Sequence, residues 1–126
     1  MNELFEFKDA ILTVHLPQDL DHPQSDWIRK ETDRIMSRTY VKRIVFDFEN
    51  TEFMDSSGIG LIMGRYRALG MGQKCIMAVN AGSHIDKLLH LSGVHRYMEI
   101  QRAEEEGEDY GFFQHCRNCS CKFCSL

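Results

Sequence analysis

The strongest constraint on this chain is a succession of three segments between residues 44 and 79. Ile44-Val45-Phe46-Asp47-Phe48 is rich in β-branched and aromatic residues and nearly apolar throughout. That is the pattern of a central strand covered on its faces. The segment from Ser57 to Leu69 then places Ile59, Ile62, Met63, Tyr66 and Leu69 at helical spacing, with Gly70 and Gly72 just beyond to end the helix. Cys75 to Val79 is a second buried strand. Strand, helix and strand in that order require a crossover, and so a parallel pair.

The flanking sequence extends this unit. Leu4 to Phe7 and Ile11 to Leu16 alternate in character about Lys8-Asp9-Ala10, which predicts an antiparallel hairpin. Pro17 to Pro23 reads as a loop, and Gln24 to Arg38 as a helix with Trp27, Ile28, Ile35 and Met36 on its apolar side. Ser83 is expected to cap a third helix carrying Ile85, Leu88, Leu89 and Leu91, with Gly93 beyond it and a last strand over Tyr97 to Ile100. The order β-β-α-β-α-β-α-β predicts an α/β fold: one domain over residues 1–100, with a mixed sheet, an N-terminal hairpin and helices packed on it. Residues 101–126 are set apart as a tail, because an acidic run (Glu104 to Asp109) gives way there to aromatics and cysteines.

Charge and cysteine usage exclude several functions. A net charge of -4 supplies no drive toward nucleic acid or an anionic membrane. The first residues lack the basic start and apolar run of a secretory signal, and no apolar stretch is long enough to cross a bilayer. The expected location is therefore the cytoplasm, where thiols stay reduced. Of the five cysteines, Cys75 stands alone in an apolar strand-like run, and the four clustered in the tail are read as free or metal-bound and not as a disulfide framework. Cys116, Cys119, Cys121 and Cys124, with His115 beside them, can hold zinc or another soft metal. The one-residue gap between Cys119 and Cys121 suits multi-metal or shared-ligand clusters, and a merely cysteine-rich tail explains the same residues. No cofactor is required by the rest of the chain.

The segment Phe53-Met54-Asp55-Ser56-Ser57-Gly58-Ile59-Gly60-Leu61-Ile62-Met63-Gly64-Arg65-Tyr66 lies where a buried strand ends and a helix begins. Asp55 and Ser56 fall in the cap region, where a short oxygen-bearing side chain accepts bonds from unpaired N–H groups. Gly58, Gly60 and Gly64 fall inside the helix, at about 1 kcal/mol each relative to alanine. Either a partner or a neighbouring strand approaches that backbone closely. The glycine spacing does not match a dinucleotide fingerprint, and no phosphate-binding G-x-x-x-x-G-K-[ST] or G-x-S-x-G is present. His84, His90 and His95 read as surface or packing residues. Nothing forms an acid–base or nucleophile constellation, so the chain is expected not to be an enzyme.

The same segment closely resembles the phosphorylation segment of bacterial anti-sigma factor antagonists, of the STAS domain family, and the sporulation antagonists most of all. Leu20-Asp21-His22 and Leu88 to Val94 add to the likeness, which runs over residues 3–100. Pro23-Gln24-Ser25, where many relatives carry a histidine and small residues, departs from it. The resemblance implies a phosphoacceptor at Ser56 and a partner-binding surface formed by Asp21, Asp55, Ser56, Ser57, Gly58, Ile59 and Gly60. It also implies partner switching. The unphosphorylated form binds an anti-sigma factor that is a serine kinase, phosphorylation ends the complex, and a metal-dependent serine phosphatase resets it. A different reading remains beside it, a STAS-like ligand- or metal-sensing module in which Ser56 only caps a helix.

Overall fold

Asp9 and Ala10, the two residues between the first strands, both have positive φ (56° and 66°). That is the geometry of a two-residue hairpin turn whose twist matches its strands. From this turn the computed structural model, which describes residues 4–103, runs as follows. β1 (Phe5–Lys8), β2 (Ile11–His15) and β3 (Asp19–Leu20) precede α1 (His22–Arg38); β4 (Arg43–Asp47) and β5 (Phe53–Met54) precede α2 (Ser56–Ala68). β6 (Ile76–Ala81) and α3 (Ser83–Ser92) follow, then a 3-10 turn (Val94–Tyr97) and β7 (Glu99–Arg102).

The main sheet has the order β1-β2-β4-β6-β7, with β1 antiparallel to β2 and every other pair parallel. Each crossover steps the same way across the sheet. Right-handed connections then place all three helices on one face. Burial follows that geometry: Leu12, Ile44 and Ile76 share a register row, as do Val14, Phe46 and Ala78, and all six are buried. Their neighbours Thr13 and Val45, on the opposite face, are only half-buried. Among the described residues no helix is long and apolar enough to cross a membrane.

The predicted mixed α/β sheet with its N-terminal hairpin is the one observed. Several local expectations are corrected. The segment Pro17 to Pro23 is not all loop: it holds β3 and the first turn of α1, with Pro23 in that turn, where its missing N–H costs nothing. Gly82, not Ser83, is the N-cap of α3. Leu91, assigned to the apolar side, is 75% exposed. Trp27 is also 37% exposed and leans on Phe5 with ring centroids 5.9 Å apart. On α2 the buried residues are Gly58, Leu61, Ile62 and Arg65. Ile59, Met63, Tyr66 and Leu69 flank them, half-buried against the same core. Cys75 is buried just before β6, and burial pushes its thiol above the usual range. The tail cysteines Cys116, Cys119, Cys121 and Cys124 lie outside the described residues.

Candidate functional site

Two strands of two residues each organise the site. β3 and β5 pair in parallel as a separate ribbon, Asp19 beside Phe53 and Leu20 beside Met54. Leu20 and Met54 turn inward and are buried, which anchors the ribbon to the core. Each strand is followed at once by an aspartate and a helix. Asp21 Oδ1 accepts a hydrogen bond from Gln24 N at 3.2 Å, and Asp55 Oδ1 accepts one from Ser57 N at 2.8 Å. Both are therefore N-caps. Because the ribbon is parallel, the starts of α1 and α2 emerge side by side.

Ser56 is the first residue of α2 and is exposed. Among the described residues no hydrogen bond engages its hydroxyl. Ser57, half-buried next to it, has its Oγ 3.2 Å from His22 Nδ1, so one side chain of α1 reaches across to the start of α2. Neither helix carries an acidic residue in its first turn, and the unpaired N–H groups and dipole of each leave a positive partial charge there. A phosphate at Ser56 would enter a favourable field without disturbing the fold.

The three helical glycines separate on inspection. A Cβ on Gly58 would sit 2.5 Å from Met54 Cγ and 2.9 Å from Leu20 Cδ2, so this glycine lets α2 close onto the ribbon. Gly60 and Gly64 have nothing within 4 Å of the same position. Of the predicted partner-binding residues, Asp21, Asp55, Ser56, Ser57 and Gly60 reach the surface around the paired helix starts. Ile59 is half-buried beside them, and Gly58 faces inward.

Two further polar features come from the structure: a buried Arg65, which the spacing left open to a partner face or the core, and a cluster at His15 of which the sequence held no sign. Arg65 is only 5% exposed and runs between α2 and α1, where its Nη1 donates to Thr32 Oγ1 at 3.1 Å and to Asp33 Oδ1 at 2.6 Å. The second feature lies at the ends of β2 and β4. His15 Nδ1 is 2.9 Å from Asp47 Oδ2, and its Nε2 is 2.9 Å from Glu6 Oε2. Asp47, 8% exposed, also accepts from Asn80 Nδ2 at 2.9 Å and from Glu49 N at 3.0 Å. Partial burial pulls the His15 pKa down, but the hydrogen bonds and charges of Glu6 and Asp47 raise it further, so the net shift is upward. Among the described residues no group of three or more His, Cys, Asp or Glu side chains is placed to hold a metal ion.

Comparison with known proteins agrees with this architecture. The family model described as STAS domain matches residues 4–107. The chain is 37% identical over 97 residues to the anti-sigma F factor antagonist of Paenibacillus polymyxa, covering 75% of this chain and 81% of that protein. Its structure is similar to that of the anti-sigma factor antagonist SpoIIAA in its unphosphorylated form, with a TM-score of 0.68 and 27% identity over 87% of this chain and 94% of that one. It is also similar to the Bacillus cell fate determinant SpoIIAA in the phosphorylated form, with a TM-score of 0.61 and 28% identity over 86% and 96% of the two chains. A parallel sheet opened by a hairpin, a ribbon that pairs two capped helix starts, and a family match over most of the sequence lead to one assignment: the chain belongs to the STAS domain family.

Proposed function

We propose that this protein is an anti-sigma factor antagonist of the cytoplasm that acts by docking and not by catalysis. Its unphosphorylated form binds, through the paired starts of α1 and α2, an anti-sigma factor that is also a serine kinase, and a sigma factor is released. The kinase then modifies Ser56: the hydroxyl oxygen attacks the γ-phosphorus of ATP, ADP leaves, and the proton passes to a base of the kinase. A metal-dependent serine phosphatase hydrolyses the ester and restores the binding form. Neither nucleic acid nor membrane is contacted directly.

The observation that carries this reading is Ser56 itself, an exposed hydroxyl on the first residue of a capped helix. The similarity to an antagonist known in unphosphorylated and phosphorylated forms supports it. The physics of the switch is electrostatic. Phosphate brings about -1.5 to -2 charges and three acceptor oxygens. The helix start tolerates them, whereas an interface closed over the same spot has to desolvate them. Two like charges about 4 Å apart repel by roughly 4 kcal/mol at an effective dielectric near 20. Such a penalty weakens binding by about a thousandfold.

The test uses the kinase, ATP and three forms of the protein. Ser56→Ala binds the kinase and takes up no phosphate, while Ser56→Asp binds poorly and unfolds at nearly the wild-type temperature. Tight binding by stoichiometrically phosphorylated protein would refute the charge argument. Phosphate uptake by Ser56→Ala would move the acceptor elsewhere.

A further inference from the structure

At the end of α2 remote from Ser56, the loop into β6 stands away from the 3-10 turn and leaves a cavity of about 270 Å³ between them. Its walls are aromatic. The rings of Tyr66 and Tyr97 lie 5.4 Å apart at a tilt of 42°, and Met71 and Met98 complete the apolar lining. Its rim is cationic. Lys74 and Arg96 both border it, against one carboxylate, Glu99, which Lys74 reaches at 3.5 Å. Arg96 is held in place, with Nε donating to Gly93 O at 3.2 Å and the guanidinium 5.7 Å from the centre of the Tyr97 ring.

Met71 is 60% exposed and Tyr97 is 42% exposed, so two large apolar side chains are kept at the surface beside an open slot. Met71 and Lys74 also have φ of 59°, a left-handed conformation costly for residues with a Cβ. The slot has room for one ring, with aromatic faces to stack on, and at its mouth the held guanidinium of Arg96 and the exposed ammonium of Lys74, which is paired with Glu99.

We propose that this cavity is a ligand site for a small molecule made of a single aromatic ring bearing one phosphate or carboxylate group. The ring lies between Tyr97 and Met71 over Tyr66, and the anion meets Lys74 and Arg96, displacing Glu99 from Lys74. The proposal is independent of Ser56 and of the partner-switching reading.

Phenyl phosphate added at millimolar concentration to the full chain, followed by amide chemical shifts, provides the test. The resonances of Gly70 to Lys74 and Arg96 to Glu99 shift saturably, and neither phenol nor inorganic phosphate alone reproduces the effect. Arg96→Gln weakens binding at least about tenfold. Lys74→Asn does the same and keeps a residue that tolerates the left-handed backbone. Tyr97→Ala, at an exposed position, removes the saturable response while the remaining spectrum stays folded. Absence of shifts overturns the proposal. So do equal shifts with inorganic phosphate, which would make this an anion site only, and shifts confined to the starts of α1 and α2.

Discussion

Gly58, Gly60 and Gly64 look alike in the sequence and differ in space, so their substitutions should separate. An alanine Cβ at Gly58 collides with Met54 and Leu20, and the ribbon or the helix must move. Gly58→Ala is expected to lower stability by about 1–3 kcal/mol in denaturant unfolding. Gly60→Ala meets nothing and gains helix propensity, so it should raise stability by up to about 1 kcal/mol. If the helix start is the docking face, the same Gly60→Ala protein binds its partner less well while being more stable. The sequence alone left open whether a partner or a strand required these glycines. The strand explains Gly58, and no neighbour among the described residues explains Gly60 or Gly64. His15 makes a second prediction at this scale. Its folded-state pKa lies above the ordinary value of 6.5, so its pairing with Glu6 and Asp47 contributes fully below that value and is lost as pH rises through the folded value. Unfolding measured from pH 6 to pH 9 should show this loss, and His15→Gln should flatten the profile.

Among the elements, α1 and α2 are joined by a buried guanidinium. Arg65 sits deep between them, while its carboxylate partner Asp33 is half exposed. Removing the carboxylate leaves the cation buried with only Thr32 and Met36 for company. Asp33→Ala is therefore expected to cost about 2 kcal/mol, less than for a fully buried pair because water reaches that side. Arg65→Met, which fills much of the same space without a charge, should cost less than Asp33→Ala in the same assay. The reverse order would show that the guanidinium itself holds the helices. The sequence made the long elements legible and hid this contact. The helical spacing of α2 and the apolar run of β4 were read to within a residue or so, because each has enough residues to show a period. β3 and β5 show none, having two residues apiece. Pro23 disguised the start of α1, since proline marks a loop end and a first helical turn equally well. The helical spacing leaves Arg65 open to a partner face or to the core, and only the neighbouring helix decides for the core. At the site, the motif pointed to Asp55, Ser56 and Asp21. That Asp21 and Asp55 are matching caps on paired strands required the fold.

The whole molecule has two separate poles. Ser56 opens α2, and the aromatic cavity lies by its far end, about 20 Å away for a helix of this length. A continuous helix without proline offers no hinge between them. Occupation of the two poles is thus expected to be uncoupled, with Ser56→Asp and wild-type protein taking up phenyl phosphate with equal affinity. A difference larger than about threefold would reveal communication along the helix.

The parallel ribbon has a consequence for how Ser56 can be read. The residues flanking this hydroxyl belong to a shape assembled from two distant stretches of chain, Asp19 to His22 and Phe53 to Ser57. On the proposed reading, the kinase that modifies it cannot thread the segment through an extended substrate groove without tearing that assembly apart. It has to recognise a folded surface, so a short synthetic copy of residues 50–62 should be ignored by the enzyme that accepts the intact protein.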